Sequence, residues 1–238
     1  MRKLLSIFMI CLLSVTVSAC SQANESDEGN INPADEIVEP EITEPEENIE
    51  ASNESHILIA YFTYGENAGL SNDAEVSSSA SIQNWNGEVT GNAGILAHMI
   101  ADVIEADLFS IRTVDLYPST YDETVDQGRS ENDAGARPVL STHIENLDQY
   151  DTIFVGFPNW WYDLPMAMYT FFEEYDFSGK TIIVFSTSGG SGFSSTLQTI
   201  AELEPNATIL EGLTVNSSQI NEAQNDVHEW LVSLGYEA

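Results

Sequence analysis

Positive charge is what this 238-residue chain has least of: six Lys and Arg stand against 39 Asp and Glu, a formal net charge of −33. So few cations argue against nucleic acid as a partner, because phosphates need Lys and Arg to neutralise them. They argue equally against docking onto anionic lipid through charge. Cysteine is nearly as scarce, with Cys11 and Cys20 alone. Beyond Cys20 there is no thiol for a disulfide, a Cys-ligated zinc site or a Cys nucleophile. His56, His98, His143 and His228 are scattered without metal-ligand spacing. No apolar run reaches the ~20 residues of a membrane-spanning helix. Two glycine signatures are also missing: no Lys follows the Gly-rich segment at 90–94, as a Walker loop requires, and no Gly-x-Gly-x-x-Gly follows the first strand. Gly190-Ser191-Gly192 is not a nucleophile elbow, because Gly-x-Ser-x-Gly would need Gly at 193 and Phe193 stands there.

What is there begins with a targeting pattern. Arg2 and Lys3 make a basic start, and an apolar run from Leu4 to Val17 follows, broken by Ser6, Ser14 and Thr16. It ends Val17-Ser18-Ala19-Cys20, which resembles a bacterial lipobox. The resemblance implies a signal peptide over residues 1–19, removal of Cys11 with it, and acylation of Cys20. Two or more acyl chains there would hold the protein firmly at a membrane surface. The expected location is the outer face of a bacterial membrane, touched only through the Cys20 lipid anchor. Residues 21–55 hold twelve acids, no Lys or Arg, and Pro33, Pro40 and Pro45. Such a segment buries nothing, and its like charges repel. Residues 20–55 are therefore expected to be a disordered, lipid-anchored acidic linker, with a relaxed span of roughly 30 Å. The rival reading is an interaction segment for a basic partner.

Residues 56–238, with 27 acids against Arg112, Arg129, Arg137 and Lys180, carry −23 and suit one domain with a sizeable core. Apolar runs predict strands at Ile57–Phe62, Asp107–Ile111, Thr152–Phe157, Thr181–Phe185 and Thr208–Val215. Between them, apolar residues from Ile95 to Ile104 at 3.6 spacing mark a helix, and further helices are expected within Tyr117–Glu131 after Pro118, from Pro165 to about Tyr175, and near Thr196–Leu203. A last apolar face runs from Ile220 to Leu234. Five strands alternating with helices predict an α/β fold, a doubly wound parallel sheet with right-handed crossovers.

In such sheets ligands bind beyond the carboxyl ends of the strands. Three loops are candidates. The first leaves Thr63, crosses a polar insertion over 64–89, and reaches Thr90-Gly91-Asn92-Ala93-Gly94 at a helix start, where backbone N–H groups favour an anion. The second, Pro158-Asn159-Trp160-Trp161-Tyr162, carries three aromatic rings. The third, Ser186-Thr187-Ser188-Gly189-Gly190-Ser191-Gly192, has glycines that admit a flat ligand closely. An anion cradle, an aromatic wall and a pliable polar rim suit a phosphorylated, flat aromatic ligand.

These segments resemble flavodoxin-like proteins with a long first loop. The resemblance spans about residues 56–236. It is carried by Ile57–Thr63, Asp73-Ala74 with Ser77–Ser81, Thr90-Gly91-Asn92 and Asp107-Leu108-Phe109. Leu116-Tyr117-Pro118 with Tyr121-Asp122, Arg137-Pro138, Pro158–Trp161 and Thr187–Gly192 complete it. It implies the strand order 2-1-3-4-5 and FMN as cofactor. Position by position, Thr63, Thr90, Gly91, Asn92 and Ala93 would hold the phosphate. Pro158, Asn159, Trp160 and Trp161 would flank the isoalloxazine, and Thr187, Ser188, Gly189, Gly190 and Gly192 would meet its other side or pyrimidine edge. Tyr117 and Tyr121 would either reach the flavin side or pack in the core. Three departures stand out. The phosphate loop is interrupted after Thr63, Glu66 is ill suited to face a phosphate, and Ala93 replaces a hydroxyl residue. The implied outcomes are weaker phosphate binding or help from the inserted segment.

The resemblance implies a surface-anchored carrier of electrons to a redox partner protein or a small-molecule acceptor, aided in encounter by its acidic face. Family one-electron carriers commonly place Gly in the loop after strand three, and Pro158–Pro165 has none. An FMN-dependent NAD(P)H:quinone-type oxidoreductase is therefore the main alternative. A flavin-free lipoprotein binding another ligand or protein is the second.

Overall fold

The computed structural model describes residues 56–71 and 74–236. The signal peptide, Cys20 and the acidic linker fall outside them. Five parallel strands form one sheet: β1 His56–Phe62, β4 Asp107–Ile111, β5 Tyr150–Pro158, β6 Thr181–Ser188 and β7 Thr208–Asn216. Their order is β4-β1-β5-β6-β7, which is the expected 2-1-3-4-5. The sequence order reverses between β1 and β5, so the crevice above that pair is a topological switch point.

The apolar runs work because both sheet faces are covered. On one face, Leu58, Phe62, Ile153, Val155 and Val184 pack with Phe171 and Phe172 of α4 (Met166–Glu174) and Ile200 of α5 (Thr196–Leu203). On the other, Ile59, Phe154, Ile183 and Phe185 meet Leu96 and Ile100 of α2 (Asn92–Ala101) and Leu231 of α6 (Gln224–Ser233). Residues i and i+1 of each strand thus serve different cores.

The expected elements form with shifted ends. The helix expected after Pro118 is α3, Tyr121–Ala134, closed by Gly135 at φ 58. The apolar stripe from Ile220 to Leu234 is divided between a 3-10 turn, Ser217–Glu222, and α6. The insertion carries structure that its polarity did not announce. It holds a short helix, α1 (Tyr64–Asn67), and a hairpin of β2 (Gln83–Trp85) and β3 (Glu88–Thr90). Asn86 and Gly87 turn that hairpin with φ of 51 and 95, the left-handed pair that two-residue hairpins need.

One buried carboxylate couples the fold to pH. Glu204, at the end of α5, is 8% exposed. Burial pushes its carboxyl up to about 7; nearby Asp176 adds to the rise and the Phe177 backbone opposes it. The folded protein therefore keeps a proton that the unfolded chain has released by pH ~4.3. Stability must fall as pH rises from there to about 7, then level off. We expect Glu204→Gln to remove this component, so that its melting temperature declines less than wild type between pH about 5 and 8. Parallel melting curves for the two proteins would contradict it.

Candidate functional site

The N-terminus of α2 has no side-chain cap of its own, since Gly91 occupies that position. The insertion supplies one from a distance. Ser81 Oγ accepts the Asn92 backbone N–H at 3.0 Å, and Asn92 Nδ2 donates to the Ser78 carbonyl at 2.7 Å. Gln83 Nε2 then bridges Asn92 Oδ1 and Ser78 Oγ, both at 2.8 Å. A tight turn over Ser78–Ser81 is closed by the Ser77 and Ile82 backbones, which exchange hydrogen bonds of 2.8 and 2.9 Å. Among the described residues, the backbone N–H groups of Ser78 and Ser79 find no acceptor. Glycine is required at 91, because a Cβ there would lie 2.1 Å from Thr63 Oγ1 and 2.7 Å from both oxygens of Ser81.

Glu66 does not face this turn. Its carboxylate is 6% exposed and accepts from Tyr61 Oη at 3.1 Å, Thr90 Oγ1 at 2.6 Å, Ser110 Oγ at 2.5 Å and Arg112 Nη2 at 3.1 Å. Burial, then the Glu66 charge, holds the Tyr61 phenol well above its ordinary range. Tyr61, Glu66, Thr90 and Arg112 border a separate cleft of about 520 Å³, where Trp85 stacks on His98 at 5.1 Å. Burial lowers the His98 pKa.

The Trp loop is a second hairpin. Trp160 and Asp163 exchange two backbone hydrogen bonds of 3.0 Å, and Trp161 and Tyr162 turn the chain at φ 54 and 65. Such a conformation costs an L-residue about 1–2 kcal/mol. Side chains hold it there: Asp163 accepts from Tyr169 Oη at 2.7 Å and Thr199 Oγ1 at 3.0 Å, and Ser195 Oγ donates to the Tyr162 carbonyl at 2.7 Å. Trp160 meets Phe62 and Tyr117 edge-on at 5.6 and 5.3 Å. Trp161 stands 43% exposed, with the Arg129 guanidinium 5.2 Å from its ring centre. Gly128 of α3 leaves room for the indoles; a Cβ there would approach Trp160 to 3.2 Å.

The turn and the loop open on one cavity of about 1010 Å³. Of the residues expected from sequence, Asn92, Pro158, Asn159, Trp160, Trp161, Thr187, Ser188, Gly189 and Gly190 line it together. Thr63, Thr90, Gly91, Ala93 and Gly192 do not. Thr63 Oγ1 is buried without a partner behind Gly91, Thr90 is bound to Glu66, and Gly192 N–H donates to Ser188 Oγ at 3.0 Å. Four further parts of the wall lie outside the expected binding residues: Tyr64 of α1, Ser78–Ser81, the α3 face with Tyr121, Thr124, Val125 and Gly128, and Asn216–Ser218 after β7. The last had a signal, for it follows the fifth strand into the same crevice. Tyr121 lines the cavity, while Tyr117 packs in the core and donates to Glu131 Oε2 at 3.0 Å.

Comparison with known proteins bears on this geometry. No curated protein sequence matches the chain. A crystal structure of a candidate flavoprotein from Bacteroides uniformis ATCC 8492 superposes with a TM-score of 0.57 at 24% identity, covering 75% of this chain and 98% of the other. One from Bacteroides eggerthii DSM 20697 gives 0.53 at 25% identity, over 73% and 98%. A flavoprotein from Lactobacillus acidophilus NCFM, crystallised in complex with FMN, gives 0.48 at 15%, over 71% and 97%. The sequence profile described as flavodoxin matches residues 87–234, more than half of the sequence. With its strand order and the cavity at its switch point, the chain belongs to the flavodoxin family.

Proposed function

We propose that the protein binds FMN in the large cavity and passes electrons between partners at the outer face of a membrane, held there through Cys20. The observation that carries the reading is the union, in one cavity, of a polar turn at a helix N-terminus with an indole-bearing loop. In a flavodoxin-type sheet FMN lies at this switch point. The residues present fit that cofactor. The N–H groups of Ser78 and Ser79 with Asn92 would hold the phosphate in place of the residues behind Gly91, and the α2 N-terminus favours its charge. Glu66 is turned away and consumed by four donors, so it opposes no phosphate. Trp160 and Trp161 would shield one ring face from water, and the loop from Thr187 would set backbone groups against the ring edge.

Bound FMN supplies reversible redox chemistry, while the protein sets its position and potential. A domain with 27 acids and four bases should disfavour an added negative charge in the site, within the limits of screening. The Trp loop also favours the second reading, an FMN-dependent oxidoreductase of the NAD(P)H:quinone type. Its turn holds no glycine, and the reciprocal Trp160–Asp163 bonds with three side-chain anchors brace both ends of it, which works against a backbone rotation in response to a single electron.

The test is direct. Purified protein mixed with FMN should retain yellow flavin after desalting, with its fluorescence quenched. Protein that stays colourless overturns both readings. Reductive titration then separates them, since a carrier should pass through a distinct one-electron spectrum and refuse NADH and NADPH.

A further inference from the structure

We infer that the second cleft, between the β2–β3 hairpin and the β4 edge of the sheet, binds a free α-amino acid with a flat side chain. The cleft lies apart from the large cavity, and no residue lines both. The inference therefore does not depend on the FMN reading. The volume, about 520 Å³, falls within the ~300–1,000 Å³ of small-molecule sites.

Three kinds of group meet there. The first is a positioned cation. Arg112 Nε donates to Ser110 Oγ at 3.2 Å and Nη2 to the Glu66 carboxylate at 3.1 Å, so one edge of the guanidinium is fixed. Nη1 finds no acceptor among the described residues, and the side chain stays 51% exposed. A guanidinium held on one edge offers the other to a carboxylate as two parallel N–H bonds. Glu66 is not a second ligand group, because its two oxygens already take four donors. The second is an aromatic shelf, where the Trp85 and His98 rings lie within 7° of parallel. Burial holds His98 below its ordinary range, so the shelf is uncharged at pH 7. The third is an anion on the hairpin. Glu88 pairs with Trp85 across the two strands, which puts both side chains on one face. Glu88 is exposed and makes no ion pair among the described residues. An ammonium group there would meet a carboxylate and an indole together.

Charge selects the ligand. A phosphate or a dicarboxylate would bring two negative charges to one cation, in a domain of 27 acids and four bases. A free amino acid brings no net charge. Its carboxylate suits the open edge of Arg112, and its ammonium suits Glu88. A residue within a peptide lacks one of the two groups, so the pair of contacts selects the free acid. A flat side chain would lie against the Trp85–His98 shelf.

The experiment is calorimetric titration of the protein with L-phenylalanine, and separately with phenethylamine, which lacks the carboxylate, and 3-phenylpropionate, which lacks the ammonium. Phenylalanine is expected to saturate below ~10 mM, with each analogue at least about tenfold weaker. Arg112→Gln should weaken phenylalanine by about tenfold or more. Glu88→Gln carries the same test on an exposed side chain, should the first variant fail to fold. It should weaken phenylalanine by about fivefold and leave 3-phenylpropionate unchanged or tighter, a reversal that general damage to the cleft would not produce. Neither residue lines the large cavity, so such losses report on this cleft. No saturable binding of phenylalanine, an analogue that binds as tightly, or undiminished binding in Glu88→Gln overturns the inference. None of these outcomes touches the FMN reading.

Discussion

Gly91→Ala is expected to cut the affinity for FMN by about a hundredfold while the five-stranded sheet stays folded. The new methyl would sit 2.1 Å from Thr63 Oγ1 and 2.7 Å from the carbonyl and hydroxyl of Ser81. Thr63 is buried at the end of β1, so the mobile partner is the insertion. Ser81 must move off the α2 N-terminus, which breaks its bond to the Asn92 N–H and shifts the turn carrying Ser78 and Ser79. Hydrogen bonds to charged groups are worth about 1.5–3 kcal/mol each. Losing one or two of them amounts to about 3 kcal/mol, or roughly a hundredfold. Fluorescence titration with FMN measures the loss, and the far-ultraviolet circular dichroism of the apoprotein reports the sheet. Unchanged affinity would show that the phosphate is held elsewhere than at the Ser78–Ser81 turn.

The second large effect concerns stability. Gly156 lies in the middle of β5, and a Cβ there would fall 2.0 to 2.1 Å from the Phe185 ring, which is fully buried on the neighbouring strand. The ring has nowhere to go, because Ile59, Phe154 and the α2 and α6 faces close around it. Overpacking of this kind costs about 1–3 kcal/mol or more. At the upper end of that range, about 3 kcal/mol, Gly156→Ala should lower the melting temperature of a domain of this size by roughly 6–12 °C, at about 2–4 °C per kcal/mol. Phe185→Leu in the same molecule should recover part of the loss, since the two side chains share one space. If the double variant is merely the sum of the two single ones, Gly156 is not there to admit Phe185.

Both predictions concern close approaches that adjacent residues do not reveal. Strand β5 could be read from Ile153–Phe157 because a strand buried on both faces is written locally, as an unbroken apolar run. The same holds for α2, Asn92–Ala101, whose apolar residues from Ile95 to Ile100 follow helical spacing. The insertion was legible only as polar sequence. Its hairpin turn, Asn86-Gly87, had the usual left-handed pair, but Trp161-Tyr162 makes a turn of the same kind without Asn or Gly. Contacts with Tyr169, Ser195 and Thr199 hold that second turn, and their places in the chain give no hint of it.

The candidate site divides in the same way. The sequence by itself determined the alternation of strands and helices, the crevice at their carboxyl ends, the indole wall, and the acidity that disfavours nucleic acid. These depend on composition and on neighbours a few residues apart. Only the tertiary structure decided which atoms line the cavity. It brought Ser78–Ser81 over the start of α2, turned Glu66 toward Arg112, put Thr63 and Thr90 out of reach, and added the α3 face and Asn216–Ser218. Those placements depend on which buried polar groups find partners across the fold, and a chain read in order does not record that.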